Sequence, residues 1–344
     1  VRPEAGSEAK MLLDESWRSD PEALVSLLYR LLLGREPEPE GLNSHVGSLL
    51  ANRLTPEQLA REFARSAEFA ARSLTERGEV RVRALDCEFV LPAGADLVGE
   101  LTSPQGYEPW VLPYFLEHCR PGMAVLDVGA SWGAFALPAA RRVGGAGRVF
   151  ALEVSPRNCQ VLYKSLKASG ITNLQILPFG VSDRLGSEFL RKQDFTNNNS
   201  IDTGADAGLD QVDDYDVVPV LPIDSLRSAL GPVHVVKMDI EGMEYRASLG
   251  GLCFFRECKP LVFTEYSPRF QKHGSGVEGE QFIGLFLDLG YDIEILHRNR
   301  PRELVSRGAN GDVAAHVDAA WRRHVDEDQG THLDLCLHPR PNTT

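Results

Sequence analysis

Lys237, Asp239, Glu241 and Glu244 fall within eight residues of one stretch, HVVKMDIEGMEY at 234–245. An apolar run leads into them, and Gly242 lies among them. Side chains on a strand alternate between faces, so Lys237, Asp239 and Glu241 share one. An ammonium beside carboxylates is a device for handling a proton: Lys237 would set the ionisation of its neighbours, and Asp239 would orient a hydroxyl or take its proton. An ordinary Asp pKa of about 3.9 makes a poor base for an alcohol. Burial must therefore raise it, or proton loss must lag behind carbon–oxygen bond formation. The plainer reading of Glu241 and Glu244 is that they bond backbone amides as the chain turns into a helix.

Glu265 ends the next apolar run, PLVFTEY at 260–266. Asp239 and Glu265, at adjacent strand ends, form the alternative expectation of a divalent metal site, magnesium for instance, that lowers the pKa of an acceptor hydroxyl. Transfer without a metal is preferred. His273, in SPRFQKHG, is a further candidate base, and Tyr266 a candidate pocket residue; His234 reads as structural. No histidine cluster has zinc spacing.

A second chemistry lies upstream. In VLDVGASWGAFA (125–136), Asp127 ends a strand, and Gly129 and Gly133 permit a tight turn into a helix expected to start near Trp132. The spacing is neither the G-x-G-x-x-G of dinucleotide sites, which disfavours a nicotinamide dehydrogenase, nor the G-K-[S/T] ending that cradles triphosphates. Glu153 ends RVFALE, where a carboxylate can accept hydrogen bonds from ribose hydroxyls. Asp183, in PFGVSD, is placed to meet a base amine. A glycine turn, a ribose carboxylate and a polar rim without a phosphate motif suit a nucleoside bearing a sulfonium, S-adenosylmethionine. Asp127 would suit its cationic amino-acid end.

These residues need a frame to hold them. AVLDVG (124–129), RVFALE (148–153), LQILPF (174–179), HVVKMD (234–239) and PLVFTEY read as short apolar strands, with helical patterns such as NCQVLYKSLKAS and EQFIGLFLDLG among them. Such alternation predicts a largely parallel α/β sheet covered on both faces. YDIEIL (291–296) and THLDLCLH (331–338) read as late strands closing it antiparallel; no role emerges for the chain between them. Ahead of the sheet, residues 81–105 suggest short strands and turns, and a helix is expected from Glu108 to His118. NNNS (197–200) and TGADAGLDQVDDYD (203–216) read as solvated loops where an acceptor pocket or lid would form.

The first unit is helical. Asp20 caps a helix with Pro21 at its first position, Leu24, Leu27, Leu28, Leu31 and Leu32 form its apolar face, and Gly34 stops it. A second helix ends near Leu50, and Thr55, Pro56 and Gln58 open a third with a capping box. The expected domains are a helical accessory unit at 14–77, a linking segment at 78–123 and a donor-binding domain at 124–344.

A formal charge of −13 argues against nucleic acid as partner. No apolar run approaches the about 20 residues of a membrane span, and VRPEAGSEAK lacks a secretory core. Six scattered cysteines without a C-x-x-C pair read as core thiols of a reducing, cytoplasmic setting.

The segments VLDVGASWGAFA, GRVFALEVSPRN, ILPFGVSD, LPIDSL, VVKMDIEGMEY and PLVFTEY together resemble the FkbM family of methyltransferases, over about residues 85 to 297. The resemblance implies a class I, Rossmann-like methyltransferase fold. It implies S-adenosylmethionine as donor, S-adenosylhomocysteine as product, and a hydroxyl of a small natural product or sugar, such as a glycoside or polyketide, as acceptor. It implies that the loop of Asp127, Gly129, Ala130, Ser131, Trp132 and Gly133, together with Glu153, holds the donor, and that Tyr107 and Glu108 lie near it. Two departures stand in the loops: Ser131 replaces a usual asparagine and Val154 a usual proline. LLYRLLLGREPEPEGLNSHVGSLL with FARSAEF resembles a small helical domain of unknown function found beside glycan-handling enzymes. N- or carboxyl-methylation on the same fold, a donor-binding regulator without turnover, and homo-oligomer formation stay open.

Overall fold

The computed structural model describes residues 18, 20–30, 35–64, 78–191, 201–202, 215–306, 312–327 and 330–341. Leu31, Leu32, Gly34, residues 65–77 and NNNS lie outside them, as does most of the acidic loop.

Among the described residues the first elements are three helices, Pro21–Leu28, Pro39–Leu50 and Pro56–Ala64. Asp20 accepts the Ala23 N–H at 2.9 Å. The capping box of the third helix is complete, with the Thr55 N–H donating to Gln58 Oε1 at 2.8 Å and the Gln58 N–H to Thr55 Oγ1 at 3.2 Å. Tyr29, His45 and Phe63 meet edge to face at their centre, with Phe63 4.7 Å from Tyr29 and 5.0 Å from His45.

A hairpin follows, β1 (Glu79–Ala84) and β2 (Cys87–Pro92). It lies on helix Pro156–Ala168, whose Ser165 Oγ accepts the Val90 N–H and Ser169 Oγ the Glu88 N–H, each at 2.9 Å. Residues 96–102, expected as strand or turn, instead form a helix, Asp96–Thr102, burying Leu97 and Leu101. The helix expected from Glu108 begins only at Leu112, because Glu108 takes a left-handed φ of 38° that a helix cannot contain.

The main sheet draws on β3 (Ala124–Val128), β4 (Arg148–Leu152) and β5 (Leu174–Leu177). Three short strands, β6 (Gly180–Val181), β7 (Gly186–Arg191) and β8 (Ile201–Asp202), and β9 (Tyr215–Leu221) form a separate small sheet. The chain returns to the main sheet as β10 (Val235–Met238), β11 (Leu261–Tyr266), β12 (Tyr291–Leu296), β13 (Glu303–Val305) and β14 (Leu333–Pro339). Its order is β13-β12-β14-β11-β10-β3-β4-β5, with β11, β10, β3, β4 and β5 parallel and β14 antiparallel between β11 and β12. The late strands thus close the sheet antiparallel, as their pattern predicts. Their connection, assigned no role from sequence, supplies β13 and helix Val313–Asp326, capped by Asp312. β3 and β10 are buried along almost their whole length, which explains why they read as unbroken apolar runs. Among the described residues no helix is long and apolar enough to cross a membrane.

Candidate active site

The parallel strands end at a cavity of about 940 Å³, mouth included, floored by Asp127, Gly129, Glu153, Lys237, Asp239 and Glu241. The turn after β3 explains its shape. Gly129 has φ 83°, and a Cβ there would stand 1.9 Å from the Asp239 carbonyl oxygen, so only glycine lets this loop cross the end of β10. Ser131 also takes a left-handed φ, 48°, which turns its N–H onto Glu153 Oε2 at 2.6 Å. The Ser155 N–H holds Glu153 Oε1 at 2.7 Å. Both carboxylate oxygens are therefore fixed and each keeps a lone pair. Burial pushes Glu153 up to about 7, against the pull of those two amides. The helix expected near Trp132 starts at Ala136 instead; Trp132 Nε1 donates to Asn158 Oδ1 at 2.8 Å and its ring joins the cavity wall.

Asp127 is 2% exposed, and its Oδ2 has no hydrogen-bond partner. Burial raises it to about 7, with Lys237 drawing it down. A buried, orphaned carboxylate oxygen beside a fixed one fits a ligand carrying positive charge and ribose hydroxyls. Tyr107, Ala130, Ser131 and Val154 line the same cavity.

At the end of β10, Lys237 Nζ lies 3.2 Å from Asp239 Oδ2, on the shared face that alternation predicts. Lys237 also lies 4.8 Å above the Phe135 ring. Lys237 and Asp239 both line the cavity, and the Lys237 side chain is 2% exposed against 26% for Asp239, so the carboxylate is the more open of the two. Burial pulls the Lys237 pKa down, but Asp239 and Glu108 outweigh it and the group stays charged. Burial raises Asp239, Lys237 overcomes it, and the carboxyl is held below its usual range. Glu241, at φ 54°, lines the cavity and is pushed up to about 8 by burial and by Asp239. Glu244 is a turn residue: its Oε1 accepts the Ile240 N–H at 2.9 Å and its Oε2 the Gln271 amide at 2.6 Å.

Other sequence candidates sit differently. Asp183 accepts from Arg246 Nε at 2.9 Å, is lowered by that pairing against burial, and is absent from the cavity wall. His273 is exposed on helix Pro268–Gly274, outside the cavity, and Tyr266 is buried with its hydroxyl towards Asp318. His234 Nδ1 accepts the Ala124 N–H at 3.1 Å. Glu265 lies behind Asp239, raised well above its usual range by burial and by Asp239. Glu108 is buried near both and pushed up to about 8.

The sequence pattern does not single out His332, Asp334, Trp110 or Arg298, yet the structure sets them beside Glu265. His332 Nδ1 is 3.4 Å from Glu265 Oε2, and Trp110 Nε1 donates to Asp334 Oδ2 at 2.7 Å. Arg298 stacks 4.4 Å over the Trp110 ring and reaches His332 Nε2 at 3.3 Å. A signal exists in THLDLCLH, where His332 and Asp334 alternate with Leu333, Leu335 and Leu337 and so share the opposite face.

The family model described as Methyltransferase FkbM domain matches residues 127–293, and that of a domain of unknown function, DUF4214, matches residues 15–73. No curated protein matches the chain. Among solved structures, precorrin-6y C5,15-methyltransferase from Geobacter metallireducens is 12% identical, covering 74% of this chain and 94% of that one, with a TM-score of 0.38. The FkbM methyltransferase from Methylobacillus flagellatus is 16% identical, covering 82% of this chain and 57% of that one, with a TM-score of 0.35. An S-adenosylmethionine-dependent O-methyltransferase from Thermotoga maritima is 13% identical, covering 75% and 76%, with a TM-score of 0.37. Residues 127–293 are thus identified as a methyltransferase FkbM domain, an enzyme domain that uses S-adenosylmethionine, and residues 15–73 as a DUF4214 domain.

Proposed function

We infer that the protein methylates a hydroxyl of a small natural product or sugar, with Glu153 on the donor ribose and Asp127 at its cationic end. When bound, S-adenosylmethionine supplies a methyl group on a positive sulfonium. The observation that supports hydroxyl transfer is the Lys237–Asp239 pair at the cavity floor, 3.2 Å apart, with the carboxylate the more exposed of the two. A carboxylate held ionised by a buried ammonium accepts a hydrogen bond from an alcohol and aligns its oxygen. It is too weak a base to remove that proton early. Asp239 therefore receives it as the carbon–oxygen bond forms, when the oxygen becomes acidic. Lys237 stays charged throughout and keeps the product proton from being held too tightly. Glu241 lines the same cavity, and burial together with Asp239 favours its protonated form, a donor for a second acceptor hydroxyl. The DUF4214 helices would position the acceptor or an assembly partner.

The test is methyl transfer from labelled S-adenosylmethionine to a panel of hydroxylated glycosides and polyketides, with the methylated atom located by NMR. An O-methyl product is expected, and Asp239→Asn should lower kcat on the order of 100-fold or more while changing donor affinity far less. Methylation at nitrogen, carbon or a carboxylate, or an Asp239→Asn variant with unaltered turnover, would contradict the reading.

A further inference from the structure

Glu265 and Asp334 are Cα partners in the β11–β14 ladder, so their carboxylates leave the sheet side by side on one face. His332, just ahead of β14, places Nδ1 3.4 Å from Glu265 Oε2 and Nε2 4.0 Å from Asp334 Oδ2. One ligand atom from each of the three falls within 4.8 Å of the others. An ion about 2.1 Å from its ligands holds neighbouring ligand atoms about 3.0 Å apart in octahedral and about 3.4 Å apart in tetrahedral geometry. The histidine–glutamate pair already meets that spacing, and small side-chain turns bring Asp334 in.

Other features point to a cation there. Trp110 Nε1 holds Asp334 Oδ2 at 2.7 Å, the kind of outer hydrogen bond that fixes a ligating carboxylate. Glu108 adds a buried Oε2 that has no hydrogen-bond partner, within electrostatic reach of Asp334 and Glu265. A second histidine-containing group, Glu294, Cys336 and His338, differs. There Glu294 is already engaged by the Tyr114 hydroxyl and by His338, each at 2.9 Å, and its thiol is buried.

We propose that Glu265, His332 and Asp334 bind a divalent transition-metal cation, with Mn²⁺ as its type, beside the Lys237–Asp239 pair. One imidazole among carboxylates suits Mn²⁺ better than Ca²⁺ or Mg²⁺. Nδ1 is the ligating nitrogen; the ring proton then sits on Nε2, and the Arg298 N–H, which donates only to an unprotonated Nε2, gives up that contact. The purpose of the ion rests on the hydroxyl-transfer reading: its ligands lie outside the cavity wall, and an acceptor oxygen that reached past Asp239 to the ion would lose its proton more easily. That proton goes to Asp239, the oxygen forms its bond to the methyl carbon, and the carbon–sulfur bond breaks with its electron pair kept by sulfur.

Chelator-stripped protein titrated with MnCl₂, read by the free-ion EPR signal and by calorimetry, tests the site without turnover. S-adenosylhomocysteine binding is measured on the same samples and reports both folding and the donor assignment. One Mn²⁺ per chain is expected, weakened about tenfold or more by Glu265→Gln, His332→Gln and Asp334→Asn, and unchanged by His338→Gln. Protein that binds S-adenosylhomocysteine but takes up no Mn²⁺ at millimolar concentration overturns the metal site and leaves the donor reading standing. Uptake lost with His338→Gln and retained with Glu265→Gln overturns it as well.

Discussion

Donor and acceptor chemistry at this site come down to how single side chains are held. Glu153 is useful because both oxygens are fixed by the Ser131 and Ser155 amides before any ligand arrives. Gly129 matters through what it lacks. Gly129→Ala would press a Cβ onto the Asp239 carbonyl at a left-handed φ, and the backbone strain alone costs on the order of 1–3 kcal/mol. Its melting temperature should fall by several degrees with loss of S-adenosylhomocysteine binding; an unshifted melting curve would contradict this account of the loop. Asp127, Gly129, Glu153, Lys237 and Asp239 were legible because each ends an apolar run, where polar residues stand out. His332 and Asp334 were not, because an alternating strand gives its polar residues an equally good reading as a solvated face. Asp183 misleads for a related reason: its position at a strand end is right, but Arg246, 63 residues away in sequence, claims the carboxylate.

At the scale of elements, the parallel strands announce themselves and the connections do not. β3, β4, β10 and β11 are buried on both faces, so composition alone marks them. Helix Asp96–Thr102 is seven residues with a glycine inside it, too short for periodicity to speak. The small sheet of β6 to β9 escaped assignment because its strands pair with each other rather than with the main sheet, and Pro219 sits within one of them. Helix Pro156–Ala168 links the donor loop to the hairpin, since Ser155 both caps it and holds Glu153. Ser165→Ala would leave the buried Val90 N–H without its acceptor and should cost about 1–3 kcal/mol in urea unfolding. Donor affinity should stay unchanged; a matching loss of affinity would show that the hairpin shapes the site.

For the whole molecule, the site's acidity sets how stability follows pH. Asp127 and Glu153, each raised to about 7, and Glu108 and Glu241, each raised to about 8, ionise less readily folded than unfolded. Their stabilising contribution is complete below the unfolded values, 3.8 for the aspartate and 4.5 for the glutamates, and is lost as pH rises through 7 to 8. His332, lowered by burial, acts oppositely, but only as pH falls through its unfolded value of about 6.5. The ligand-free protein should therefore melt lower at pH 8.5 than at pH 6.5, and a flat or rising profile would mean these carboxylates are not buried as described. The central claim is the donor site itself, and calorimetric titration of EDTA-treated protein with S-adenosylhomocysteine tests it most directly, run beside Glu153→Ala. The account predicts saturable one-to-one binding by the wild type and at least about a hundredfold loss in the variant, worth about 2.7 kcal/mol. Folded wild-type protein that does not bind, or a variant that binds as well, would contradict it.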